Sequence, residues 1–182
     1  MFVIPFMEVL VQQAERLGVE PAAFRSFYEE ALPRVYGYFL HRTGGSVPVA
    51  EDLTQETFLA AVSELKKGRN VEAPIPWIYG IARHKLIHHY RRQERVEQPF
   101  ADEQVLPDDT PLDESGALAR EHAVAALAAV PASQRAALVL RHLDGFSVPE
   151  IAEALDKSVE AVESLLARGR VTFKRAYSEA AA

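Results

Sequence analysis

The sequence predicts an all-α protein: two small helical domains joined by an acidic flexible linker, the second of them a helix-turn-helix domain. Three observations lead there. Apolar residues recur at three- and four-residue steps in both halves of the chain, and no stretch of useful length alternates as a strand would. Residues 96–117 hold Pro99, Pro107, Pro111 and Gly116 among acids, with no helical period, which reads as a linker. Beyond it, two short apolar stripes meet at a tight turn, the pattern of a helix-turn-helix. With 182 residues, 48% of them apolar and 25% charged, the chain can bury a core and stay globular.

Residues 1–23 extend ahead of the first domain. Their apolar run is broken by Pro5 and ends at Glu8, with no base before it and no cleavage pattern after it, so it does not read as a signal peptide. An extra amphipathic helix is one reading; a start at Met7 is another. No run approaches the roughly 18–20 apolar residues of a membrane span, so no membrane insertion is expected. The first domain, 24–95, opens with Phe24, Phe27, Tyr28, Ala31, Leu32, Val35, Tyr36 and Phe39 at helical spacing. Pro33 should kink or split that helix, because it lacks an N–H and crowds the preceding turn. Thr43 to Ser46 makes a turn around two glycines, and a second helix follows from about Pro48 to Leu65. Lys67 to Pro76 reads as a loop, and a third helix runs from about Pro76 to Arg92, burying Trp77, Ile78, Ile81, Ala82 and Leu86.

The second domain, 118–178, begins with an alanine-rich helix over Leu118–Ala129 that stops before Pro131. A short helix over Ser133–Leu143 ends at Asp144-Gly145, a C-cap signal. Ser147-Val148-Pro149-Glu150 matches a capping box, with Ile151, Ala152 and Leu155 as the buried face of the helix it starts. Asp156-Lys157 turns the chain. Ser158 caps a last helix predicted to bury Val159, Val162, Leu166, Phe173 and Tyr177.

Charge is unevenly spread. The net charge is −6, yet residues 24–95 carry eleven bases against eight acids and residues 118–182 carry eight of each. The surplus acid sits in 96–117, seven acids with no base, and in 1–23, three acids with one base. Both folded blocks are thus basic or neutral, which leaves nucleic-acid binding open to them. The absence of cysteine excludes disulfides, thiolate metal sites and cysteine nucleophiles, and fits a reducing cytoplasm.

In the last helix, Ser164, Arg168 and Arg175 lie opposite the apolar stripe, with Glu160 and Val171 near them. Such a helix fits the major groove, and arginine can pair with guanine edges or phosphate. A plain helical hairpin packed in a core would show much the same pattern. The third helix carries Arg83, Lys85, Arg91, Arg92 and Arg95 with Tyr79 and Tyr90 beside them. Bases bind phosphate through counterion release, and rings stack on unpaired bases; a solvated helix face would read alike. His84, His88 and His89 suggest a metal, but no carboxylate lies at helical spacing within the run and its bases repel a cation, so no metal or cofactor is expected. Glu51, Asp52 and Glu56 could do acid–base work, yet they fit better as a helix N-terminus or a docking face. No phosphate-cradling glycine loop and no nucleophile–base set is visible, so no catalytic residue is expected and the chain does not read as an enzyme.

The order of these parts resembles the extracytoplasmic-function sigma factors. The string AEDLTQETFLAAV, Ala50–Val62, closely resembles their polymerase-binding helix, and PWIYGIARHKLIHHYRR, Pro76–Arg92, their promoter-melting helix. LPRVYGYFLHRTG, Leu32–Gly44, is similar to the helix that precedes both. Val130–Leu155 and Ser158–Arg175 resemble the domain that reads the minus-thirty-five element. The resemblance implies a subunit that binds core RNA polymerase and promoter DNA in the cytoplasm, held in check by an anti-sigma factor. It places Asp52, Gln55, Glu56 and Phe58 on the polymerase. It places Trp77, Arg83, His84, Lys85, His88, Arg91 and Arg92 on the minus-ten element, with the Gly68–Pro76 loop helping to hold a flipped base. Ser158, Ser164, Arg168, Arg170 and Arg175 would face the minus-thirty-five element. The alternative is a stand-alone helix-turn-helix regulator, which would leave the Ala50–Val62 helix without a job. The chain departs from the family at three places. Glu163 and Leu165 stand where bases are usual on either side of Ser164, and Gly80 where Arg usually precedes Ile-Ala. Glu163 and Leu165 should each weaken phosphate contact by about 1 kcal/mol.

Overall fold

The computed structural model describes residues 3–67, 71, 73–96 and 114–180. Among the described residues there are eight helices and no strand: α1 (Val3–Glu15), α2 (Pro21–Arg42), α3 (Val47–Lys66), α4 (Pro74–Val96), α5 (Glu114–Ala128), α6 (Ala132–His142), α7 (Val148–Leu155) and α8 (Val159–Ala180). They fall into two compact units, one made of Met1–Phe39 with Pro48–Leu86, the other of Leu40–Val47 with Ile87–Ala182.

The first unit is built on the apolar stripes that the sequence displays. Phe24, Tyr28, Ala31, Val35 and Phe39 of α2 are buried together with Phe58, Ala61 and Val62 of α3 and Ile78, Ala82 and Leu86 of α4. Helix α2 is not split at Pro33 but runs continuously past it. The stripe on both sides of the proline is buried, and that burial offsets the one backbone hydrogen bond the ring removes. The extension contributes α1, whose Leu10, Val11 and Ala14 are buried and whose Glu8 pairs with Arg25 of α2 at 3.0 Å. Two buried hydroxyls, Thr54 and Thr57, are satisfied within α3 by the carbonyls of Ala50 and Leu53, each at 2.7 Å. Helix α4 starts at Pro74, two residues ahead of the sequence expectation, while Gly68, Arg69, Asn70 and Glu72 of the expected base-holding loop lie outside the described residues.

In the second unit α8 packs on α5, α6 and α7. Gly169 makes the close approach to α6 possible, since a Cβ there would lie 3.1 Å from Leu138 Cδ1. The capping box is formed: the Ser147 hydroxyl accepts from the Glu150 N–H, and the Ser147 N–H donates to the Glu150 carboxylate at 2.8 Å. Asp156 ends α7 in the left-handed conformation at φ 57°, and Ser158 Oγ accepts from the Ala161 N–H at 3.2 Å to start α8. Expectations for α8 are corrected at four residues: Phe173 and Tyr177 are only partly buried, stacked on each other at 5.9 Å, and Val159 and Leu165 differ as well. Val159 is 39% exposed, since it sits in the first turn before the helix meets the core. Leu165 is buried beside Val162 and Leu166, so it packs the core and does not stand in for a phosphate contact. Helix α5 begins at Glu114, inside the expected linker, whose residues 97–113 lie outside the described residues.

Polar contacts hold the ends of α2 and α4 in this same unit. Arg42 Nε and Nη2 both donate to Asp144 Oδ1, at 3.0 and 2.9 Å, with side chains 16% and 2% exposed. The Tyr90 hydroxyl donates to the Arg42 carbonyl at 2.6 Å, and Lys157 pairs with Glu94 at 2.7 Å. Arg91 reaches the last carbonyls of α7: Nη2 donates to Glu153 at 2.8 Å and Nε to Ala154. A cation at the helix C-terminus satisfies orphan acceptors and meets the negative end of the helix dipole. Arg135 does the same for α5 through Leu127 and Ala128, and burial pushes its pKa below the ordinary arginine value. Gly44, at φ +69°, runs so close to α5 that a Cβ would fall 2.8 Å from Ala128 Cα.

Candidate polymerase and DNA interfaces

Three outward faces carry the residues singled out in the sequence. On α3 the buried residues Leu53, Thr54, Thr57, Phe58, Ala61 and Val62 fix the inward side, and Asp52, Gln55 and Glu56 are exposed on the other. Phe58 does not belong with them. It is fully buried, with Tyr28 at 4.6 Å between ring centroids and Phe27 at 6.3 Å, so it supports the face from beneath and cannot touch a partner. In its place Leu59, 46% exposed, follows Gln55 and Glu56 one turn on. The helical spacing of Leu59 from those two residues could have revealed it.

On α4, Arg83, His84, His88 and Arg92 are exposed, and Trp77, Lys85 and Arg91 are partly exposed. Trp77 leans on Phe27 at 6.5 Å, and its indole N–H, shut off from solvent, meets no acceptor among the described residues. Lys85 pairs with Glu56 of α3 at 3.0 Å, so one residue expected on DNA and one expected on the polymerase hold each other. Arg91 is engaged with the α7 carbonyls, a role no local sequence signal announces. His89 lies against Tyr90 at 5.9 Å.

On α8, Val162, Leu165, Leu166 and Gly169 are buried, and Ser164, Arg168, Arg170 and Arg175 are all exposed. Ser158 is exposed as well, though its hydroxyl is used in the cap. Val171, 72% exposed and the most exposed large apolar side chain among the described residues, sits between Arg168 and Arg175 along the same stripe. Glu160 is held below the usual carboxylate range by its own backbone N–H first and by the Ser158 hydroxyl second.

A capped helix, a left-handed turn and a longer helix with exposed arginines have the form of a helix-turn-helix protein. Comparison with known proteins narrows the class. Residues 27–96 match the family Sigma-70 region 2 and residues 121–173 match Sigma-70, region 4. The chain is 34% identical over 136 residues to the ECF RNA polymerase sigma factor SigF of Caulobacter vibrioides, covering 74% of each protein. It is 31% identical over 180 residues to the ECF RNA polymerase sigma factor BldN of Streptomyces coelicolor, covering 93% of this chain but 65% of that relative, a little under two thirds of its length. The fold is shared with the sigma factor RpoE of Bartonella quintana, solved in complex with the anti-sigma factor NepR: TM-score 0.51, 20% identity, covering 86% of this chain and 97% of that one. The chain belongs to the extracytoplasmic-function RNA polymerase sigma factors. No helix among the described residues is long and apolar enough to cross a membrane.

Proposed function

We propose that this chain binds core RNA polymerase and directs it to a set of promoters. Residues 24–95 form the module that docks on polymerase and opens the minus-ten element, and residues 118–178 form the module that reads the minus-thirty-five element. The segment 96–117 tethers them. Asp52, Gln55 and Glu56 dock α3 on a basic surface of the polymerase, with Leu59 as an apolar anchor. Trp77, Arg83, His84, Lys85, His88 and Arg92 engage opened minus-ten DNA, while Arg91, held on the α7 carbonyls, braces the end of α4; Ser164, Arg168, Arg170 and Arg175 engage the duplex upstream. The protein catalyses nothing itself: binding energy bends and opens DNA, and the polymerase makes the RNA. It works in the cytoplasm, and an anti-sigma protein holds it inactive.

The observation that carries this reading is the pair of outward polar faces on different units, acidic on α3 and bearing Arg168, Arg170 and Arg175 on α8. A stand-alone regulator would need only the second. The test mixes the purified chain with core polymerase and measures co-elution and transcription from a promoter library. Core binding with promoter-specific transcripts is expected. Asp52→Arg with Glu56→Arg should abolish core binding at unchanged helical content, since both side chains are exposed. Unchanged core affinity refutes the docking face, and DNA binding without core binding makes the chain a stand-alone regulator.

A further inference from the structure

We infer that Glu163 reads a base, accepting a hydrogen bond from a cytosine amino group, and so places a cytosine in the minus-thirty-five element of this chain. The inference rests on the assignment of α8 to that element. Buried Val162, Leu165, Leu166 and Gly169 fix the inward side of α8. At 100° per residue the opposite side is centred on Glu160, Ser164, Ala167 and Val171, with Glu163 on one shoulder and Arg168 on the other. All six are exposed.

Two carboxylates therefore stand on a surface that meets a polyanion. Glu160 sits at the capped start of the helix, where its own backbone N–H first and the Ser158 hydroxyl second hold its carboxyl below the usual carboxylate range. Glu163 takes part in no such cap and in no ion pair among the described residues. One turn further on lies Ala167, which can neither neutralise nor cover it. Near phosphate Glu163 would only be repelled, so the groups that can stabilise it in the groove are base-edge donors.

The major groove offers two, the N4 amino group of cytosine and the N6 amino group of adenine. Adenine sets the N7 acceptor beside its amino group, and a carboxylate has no proton to give N7. Guanine presents acceptors alone, and thymine an acceptor and a methyl group. Cytosine is the edge that a carboxylate fits without a clash of lone pairs.

The test reconstitutes holoenzyme with the wild-type chain, Glu163→Gln and Glu163→Arg, and selects duplexes from a library randomised across the minus-thirty-five region. Wild type is expected to select cytosine at one position by about tenfold over the other bases. Glu163→Gln should move that position to adenine, because an amide both donates to N7 and accepts from N6, and Glu163→Arg should move it to guanine. The remaining positions should hold. Circular dichroism checks that each variant keeps its helices. Identical selections from all three proteins overturn the inference and leave the assignment of α8 intact. Loss of selectivity across the whole region in all three overturns that assignment and the inference with it.

Discussion

Removing one partner of the Arg42–Asp144 pair should destabilise the second unit far more than removing both. The guanidinium grips one carboxylate oxygen through two nitrogens, at 2.9 and 3.0 Å, and the two side chains are only 16% and 2% exposed. At an effective dielectric near 20, opposite charges 4 Å apart attract by about 4 kcal/mol. Taking each ion out of water costs several kcal/mol, so the pair as a whole contributes little net stability. A single substitution, however, keeps one desolvation cost and loses the attraction. Arg42→Met should cost about 3–5 kcal/mol, because it leaves Asp144 without its guanidinium at a site of 2% exposure. Asp144→Ala should cost toward the lower end of that range, since the longer Arg42 side chain keeps some access to water. The double variant Arg42→Met with Asp144→Leu should recover most of the loss. Urea unfolding followed by circular dichroism reads these values. In a unit of about 100 residues a loss of 3 kcal/mol also lowers that unit's Tm by about 12–24 °C. Single variants that each cost under about 1 kcal/mol, or effects that simply add in the double variant, would show that the two groups are not coupled in solution.

Three further outcomes are expected. Phe58→Ala should destabilise the first unit by about 3–5 kcal/mol, because a fully buried ring leaves a cavity; a variant of normal stability that fails only in polymerase binding would return Phe58 to the docking face. Arg83→Ala with Lys85→Ala should lower open-complex yield and flatten its salt dependence, by about one unit of slope for each phosphate no longer neutralised, read from permanganate footprints across a salt series. An unchanged yield would mean that α4 does not open DNA. The Ser147 hydroxyl and backbone N–H hold the Glu150 carboxyl below its ordinary value. The capping contribution is therefore fully present above the unfolded carboxylate pKa and is lost as pH falls through the lower folded value. Glu150→Gln should remove that part of the acid dependence, and Ser147→Ala should cost about 1 kcal/mol at neutral pH; unfolding curves from pH 2 to 7 check both.

Much of the architecture was legible because helix formation in this chain is signalled locally. The stripe Phe24 to Phe39 marked α2, Ser147 and Glu150 marked the start of α7, and Ser158 marked the start of α8. Pro33 does not split α2, because burial of residues distant in sequence outweighs one lost backbone bond, which no local rule weighs. Phe58 was placed on the surface by resemblance, whereas its neighbours Tyr28 and Phe27 come from a helix some thirty residues earlier. For Leu165 the family pattern suggested a lost base, and only the packing of α8 turned it inward.

The sequence by itself determined the helical class, most of each face of α3, α4 and α8, and the turn between α7 and α8, since periodicity and capping act over a few residues. Tertiary structure decided which charges meet a partner within the molecule. Lys85 on Glu56, Arg42 on Asp144 and Arg91 on the end of α7 are pairings across 29, 102 and about 62 positions of chain. A charged side chain looks the same in the sequence whether it ends in solvent, on DNA or on a carbonyl. Only the folded chain fixes the distance to its partner and the water left between them, and on those two quantities the strength of a charge depends.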